Sequence, residues 1–249
     1  MSGSAELLAA VSAFCLGSLL GVMLNMTDWT TGLLKKCDLY FLASDADNST
    51  LSARNMTGNG HYIHDSHLRE CDFVYKADDN TFTIPGNLKL LLSRSSPEKA
   101  SYFGHTFESM ETEGLDLSGG ASYAYSRETL RLFVETLRGE NSSHRACQAS
   151  SPRNEDYTVR ECFRQLGAEF VDTRDEQGRQ AFLSHKPMTF LAPILTNVSH
   201  VQAQMDKLKI SLEGKCCNPR VVSFHSIDPT MMYVLYYFVY EVEVYDVAS

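Results

Sequence analysis

Two carboxylates and an amide follow one another at Asp78, Asp79 and Asn80, directly after the strand-forming run Phe73, Val74, Tyr75. A buried strand that ends in clustered oxygen groups sets hard ligands at its carboxyl edge, where open α/β sheets bind their ligands. Oxygens of this kind suit Mg²⁺ or Mn²⁺ held against a substrate diphosphate. A solvated acidic turn is the competing reading, because turns of this composition are common. Glu155 and Asp156 offer a second acidic pair, at the start of an amphipathic helix, where capping and the helix dipole favour acids in any case. Gly119 and Gly120 lack side chains and let a ligand or another backbone come close; the alternative is a plain turn. His225 follows Val221 to Phe224, which reads as a buried strand, and a histidine just past a strand end is often a hydrogen-bonded edge residue. His61, His64 and His67 recur every third residue, but their polar surroundings give no apolar frame, and the stretch reads as a solvated loop.

The elements that must position these groups are legible as patterns. Pro85 opens a short helix with Leu88, Leu91 and Leu92 on one side, and Tyr102 to His105 reads as a strand with a close-packed glycine. Ser126 caps a helix whose Leu130, Phe133, Val134 and Leu137 fall at i, i+3, i+4 and i+7. Val159, Cys162, Phe163 and Leu166 form the apolar face of the next helix, closed by Gly167. Cys147 and Cys162 flank the acidic pair, and a bridge between them would pin the start of that helix. Pro229 opens a helix with Met232, Leu235, Tyr236 and Val239 inward, after which Val242 and Val244 alternate with Glu241 and Glu243 as in a strand.

A chain of 249 residues is long enough for one well-buried α/β domain. Its formal net charge of −9 argues against a nucleic-acid partner, which would require a basic stripe. The seven cysteines show no CxxC spacing, so zinc-site and thioredoxin-like readings are weak. Asn25, Asn48, Asn55, Asn141 and Asn197 each begin an Asn-x-Ser/Thr acceptor sequence, which with the cysteines favours an oxidising, lumenal or extracellular setting. Leu7 to Leu24 carries no charge and is just long enough to cross a bilayer. A cleaved signal peptide and a buried helix compete with the membrane span. No Lys or Arg precedes this segment, while Lys35 and Lys36 follow it, so its orientation is not set by charge.

Lys76-Ala-Asp-Asp-Asn-Thr-Phe82 with Asn87 to Ser93 resembles the metal-site segment of the core 1 β1,3-galactosyltransferases. Further similarities follow in that family's order: Tyr102 to His105, Leu117 to Gly120 with Tyr125 to Leu130, Glu155-Asp156, Thr173 to Asp175, and Cys216-Cys217 with Val222 to His225. The resemblance runs from about Trp29 to the C-terminus. It implies a GT-A-type, Rossmann-like α/β nucleotide-sugar transferase domain with a mixed central sheet, spanning residues 28–249 behind a signal-anchor segment at 1–27. Trp29 to Cys37 then looks like the helix after the family's first strand, which is missing here, and Leu39 to Ala43 like the next strand.

The implied reaction is inverting transfer of galactose from UDP-galactose to GalNAc linked to Ser or Thr of glycoproteins. The family would place Mn²⁺ on Asp78, Asn80 and His225, and the nucleotide sugar against Lys76, Asp78, Asp79, Gly119 and Gly120. Asp156 would be the catalytic base. The location implied is the Golgi membrane, as a single-pass type II protein with its catalytic domain in the lumen; homodimer formation is left open. The family usually carries an acid where Asn80 stands, and an aromatic run where this chain has Gln202 to Lys209. His105 looks more like the family's non-catalytic chaperone, so a chaperone-like or scaffolding role is the alternative.

Overall fold

The computed structural model describes residues 37–44, 68–69, 71–78, 80–109, 114–139, 147, 155–191 and 217–243. A five-stranded mixed sheet is built from β1 (Cys37–Ser44), β2 (Cys71–Asp78), β4 (Ser101–Ser109), β5 (Gly114–Ser126) and β6 (Glu169–Val171), in the order β1-β2-β5-β4-β6. β1 runs parallel to β2 and β4 parallel to β6, whereas β5 is antiparallel to both of its neighbours. β2 is buried along nearly its whole length, as expected of a strand covered on both faces. A small second sheet, β3 (Phe82–Thr83), β8 (Ser223–Phe224) and β7 (Phe182–Leu183), has β8 at its centre.

Side-chain alternation divides the core in two. Val74, Tyr102, Tyr123 and Tyr125 pack against α2 (Arg127–Arg138) and α3 (Glu155–Gln165) through Leu130, Phe133, Val134, Val159 and Phe163. On the other face Phe73, Tyr75, Ala77, Phe103 and Ala124 meet Leu88 and Leu92 of α1 (Pro85–Leu92), together with Phe182 and Val222 beside the second sheet. Pro85 suits the first turn of α1 because the amide it lacks would have no intrahelical partner there.

The Ser126 hydroxyl accepts from the Thr129 amide at the start of α2 and also from the Ser101 amide, so one side chain caps the helix and ties it to β4. Gly167 closes α3 at φ +76°, and Ala168 N–H then reaches the Phe163 carbonyl at 3.0 Å. Cys147 and Cys162 form the anticipated disulfide, with their Cα atoms 4.7 Å apart. Cys71 and Cys217 each take part in a disulfide of their own, not with one another.

Three expectations need correction. Cys37 opens β1 rather than closing a helix, and residues 29–36 lie outside the described residues. Val239 does not face inward: α4 (Pro229–Tyr236) widens into a π-helical turn at Tyr237–Glu241, and Val239 is exposed. The wider turn changes the angular step per residue, so the 3.6-residue phase that places Met232, Leu235 and Tyr236 against the second sheet fails beyond Tyr236. Val242 N–H bonds back to the Tyr237 carbonyl, and residues 242–243 form no strand. The apolar segment Leu7 to Leu24 lies outside the described residues, as do His61, His64 and His67 and the stretch Gln202 to Lys209. Among the described residues no helix is long and apolar enough to cross a membrane.

Candidate functional site

The carboxyl end of β2 and the loop after β8 meet at one edge of the large sheet. Asp78 is the last residue of β2, and a tight turn follows in which the Thr81 amide bonds the Asp78 carbonyl at 3.0 Å. His225 comes from the far end of the chain and is delivered by β8, its own amide bonded to the Leu183 carbonyl. Its Nδ1 lies 3.9 Å from Asp78 Oδ2 and 3.1 Å from Thr81 Oγ1. The Ile227 amide bonds the Asn80 carbonyl at 2.9 Å, so the 225–227 loop is clamped onto the acidic turn. Ser226, at φ +58°, makes that reversal.

Lys76 is almost wholly buried and donates to Asp78 Oδ1 at 2.8 Å, while its ammonium lies 5.6 Å from the centre of the Tyr123 ring. A buried cation of this kind is tolerable only with such a partner. Lys76 thus holds one oxygen of Asp78 in place, and the other oxygen faces His225. The Oδ1 of Asn80 is buried and has no hydrogen-bond partner. An orphaned acceptor costs about 1–3 kcal/mol and calls for a donor or a cation.

Carboxylate, amide oxygen and imidazole are therefore present as a donor set at this edge, and the residues fit a divalent cation with mixed oxygen and nitrogen ligation. Among the described residues no group of three His, Cys, Asp or Glu side chains is placed to hold a metal ion; Asp79 lies outside the described residues.

Gly119 and Gly120 sit in a four-residue bulge of β5. Gly104 pairs with Tyr123 and the next residue, His105, with Ser118, so residues 119–122 have no partners in β4. Such bulges re-aim backbone at strand edges. Ser122, at the end of the bulge, is buried at φ +74°, a conformation that costs an L-residue about 1–2 kcal/mol. The Thr173 hydroxyl donates to the Gly104 carbonyl at 2.9 Å and holds the opposite strand. Asp156 is the second residue of α3, on the helix packed against the Val74 and Tyr125 face; its side chain is outside the described residues.

Several contributors carry no motif-level signal. Thr81, which contacts His225, differs from its neighbours only in being the hydroxyl that follows the acid–amide triplet. Tyr75, Thr83, Ser122 and Ser223 share a buried hydroxyl network. Burial raises the Tyr75 phenol above its ordinary value, so it remains a donor.

His105, fully buried, donates through Nδ1 to the Phe182 carbonyl at 2.6 Å, and its Nε2 has no partner. Burial, opposed by that hydrogen bond and aided by His185, lowers its pKa from 6.5 to about 4. The unfolded chain takes up this proton as pH falls through about 6.5, the folded protein only near about 4. The folded state therefore loses stability across that window as pH falls, and keeps it above. His105→Gln should flatten this part of the acid limb in a series of melting temperatures between pH 4.5 and 7. An unchanged slope would show that His105 does not set it.

No family model matches the chain. A curated protein of Xenopus laevis, glycoprotein-N-acetylgalactosamine 3-beta-galactosyltransferase 1, is 33% identical over 181 residues. The matched stretch covers 72% of this chain and 48% of that protein, so the chain spans about half the length of the curated relative it matches. With that level of identity over most of its length, the chain is a divergent member of the core 1 β1,3-galactosyltransferase family.

Proposed function

We propose that the chain is a glycosyltransferase that moves galactose from UDP-galactose to O-linked GalNAc on glycoproteins with inversion at the anomeric carbon. The observation that carries this reading is the meeting of Asp78 and His225, 147 residues apart in sequence, at the turn that also carries Asn80 with its unpartnered oxygen. Asp78, Asn80 and His225 would hold Mn²⁺, and Asp79 would serve the nucleotide sugar. When bound, the cation offsets negative charge on the departing diphosphate.

The chain's own residues do the remaining work. Lys76 orients Asp78, and Gly119 and Gly120 let the backbone approach the nucleotide sugar closely. Asp156 takes the proton from the acceptor hydroxyl as its oxygen attacks the sugar. A Golgi-membrane location, with Leu7 to Leu24 as anchor and the domain in the lumen, is part of the same reading.

Calorimetric titration of the full chain with UDP, with and without Mn²⁺, tests it. Binding is expected only with the metal. His225→Ala should weaken it by about tenfold, roughly 1.4 kcal/mol. Asn80→Asp, which adds a unit charge facing the cation, should tighten it by a similar factor. The same variant should melt lower than wild type without metal, because a further carboxylate is then added to the acidic turn after Asp78, and should recover when Mn²⁺ is added. UDP binding that is absent, or indifferent to both metal and His225, would sink the reading.

A further inference from the structure

The glycine bulge of β5 does not hang from its own strand alone. Tyr75 donates its single hydroxyl proton to Ser122 Oγ at 2.8 Å, so Thr83 Oγ1, also at 2.8 Å, must donate to Tyr75. Ser122 Oγ lies 2.9 Å from Ser223 Oγ. Four hydroxyls thus converge from four strands: Tyr75 in β2, Thr83 in β3, Ser122 at the end of the bulge and Ser223 in β8. Each is a short step from a residue of the candidate site. Tyr75 is three residues before Asp78, Thr83 two after Thr81, and Ser223 two before His225. Tyr75, Ser122 and Ser223 are buried, so water does not substitute for these contacts. Serine nevertheless occupies a left-handed backbone position where glycine would be unstrained. Strain retained by a well-determined surrounding is the pattern expected when the side chain has a task at that point.

We propose that Ser122 is a positioning residue: its hydroxyl, gripped by Tyr75 and Ser223, fixes Gly119 and Gly120 against the diphosphate of a nucleotide sugar held at the Asp78–His225 edge. The inference rests on the function proposed above and adds a device to it. The glycines supply the space, and the hydroxyl network sets where that space lies relative to the two strand ends. The ligand part that feels Ser122 is the diphosphate, not the nucleoside.

Ser122→Gly, Ser122→Ala and Tyr75→Phe separate this role from simple stabilisation. Glycine relieves the backbone and removes the hydroxyl; alanine removes the hydroxyl and keeps the strain; phenylalanine leaves Ser122 untouched and removes its donor. Affinities for UDP and for UMP are measured with Mn²⁺ on the full chain, well below each variant's melting temperature. All three variants should bind UDP about tenfold more weakly than wild type while UMP affinity stays within about twofold, and Ser122→Gly should melt no lower than Ser122→Ala. Equal losses for UDP and UMP would mark a merely structural network and overturn the proposal, as would wild-type UDP affinity in the variants. If wild-type protein itself fails to bind UDP with metal, the function proposed above falls and this inference with it. If wild type binds and the variants match it, only the role of Ser122 is lost.

Discussion

Phe163→Ala is expected to lower the unfolding free energy by about 3–5 kcal/mol, the cost of emptying a large aromatic site that cannot collapse. Phe163 is fully buried on α3, and its ring centre lies 5.1 Å from that of Tyr125 and 5.7 Å from those of Tyr102 and Phe133. Those three rings belong to β5, β4 and α2, so truncation opens a void that none of these elements can fill alone. Edge-on and tilted ring contacts add about 0.5–1.5 kcal/mol per pair beyond burial, which places the effect towards the upper end. Phe163→Leu, which keeps most of the volume, should cost markedly less. Urea denaturation followed by circular dichroism checks both. A midpoint shift smaller for alanine than for leucine would mean that α3 does not rest on this ring.

The second large effect is expected one residue earlier. Cys162 is joined to Cys147 across 15 residues, and a closed loop of that size corresponds to about 3 kcal/mol of chain entropy removed from the unfolded state. Both cysteines are buried in the same cluster as Phe163, so replacement also disturbs packing. Cys147→Ala with Cys162→Ala should therefore melt several degrees below wild type under non-reducing conditions. Under strong reduction the difference should shrink to the packing cost. Adjacent residues couple, so the losses from Phe163→Ala and from the cysteine pair should not add. The functional reading gains a control from this. If Asp156, at the start of α3, is the base, loosening the helix lowers turnover at temperatures where the fold is intact while metal-dependent UDP binding at Asp78 persists.

How much of this was legible depended on the length over which a pattern could repeat. α2 and α3 run for three turns, so Leu130, Phe133, Val134, Val159, Cys162 and Phe163 declare their faces, and all are buried. The disulfide could be suggested from the position of its two cysteines around Glu155 and Asp156. Of the second sheet only β8 was legible, within the stretch Val221 to Phe224; β3 and β7 were not, since strands of two residues contain no alternation to detect. Val239 escapes the pattern because sequence periodicity cannot announce that the helix itself widens at Tyr237.

At the candidate site the split is similar. Asp78, Asn80 and His225 are chemical types that stand out, and the structure brings Asp78 and His225 within 3.9 Å. Ser122 does not stand out, because its importance comes from a register shift against Gly104 and from partners 47 and 101 residues away.

The centre strand of the small sheet has a further consequence for how the molecule is made. Phe82 waits for Phe224, and the ribosome supplies the next 142 residues, Phe224 included, in roughly 7 to 28 s at about 5–20 residues per second. Through that interval Phe82–Thr83 and Phe182–Leu183 have no neighbour to close on, and Asp78 has no imidazole beside it. The edge where Asp78 meets His225 is thus among the last parts of the nascent molecule to mature, and a chain stopped before β8 would leave the ribosome with its large sheet formed and that edge still open.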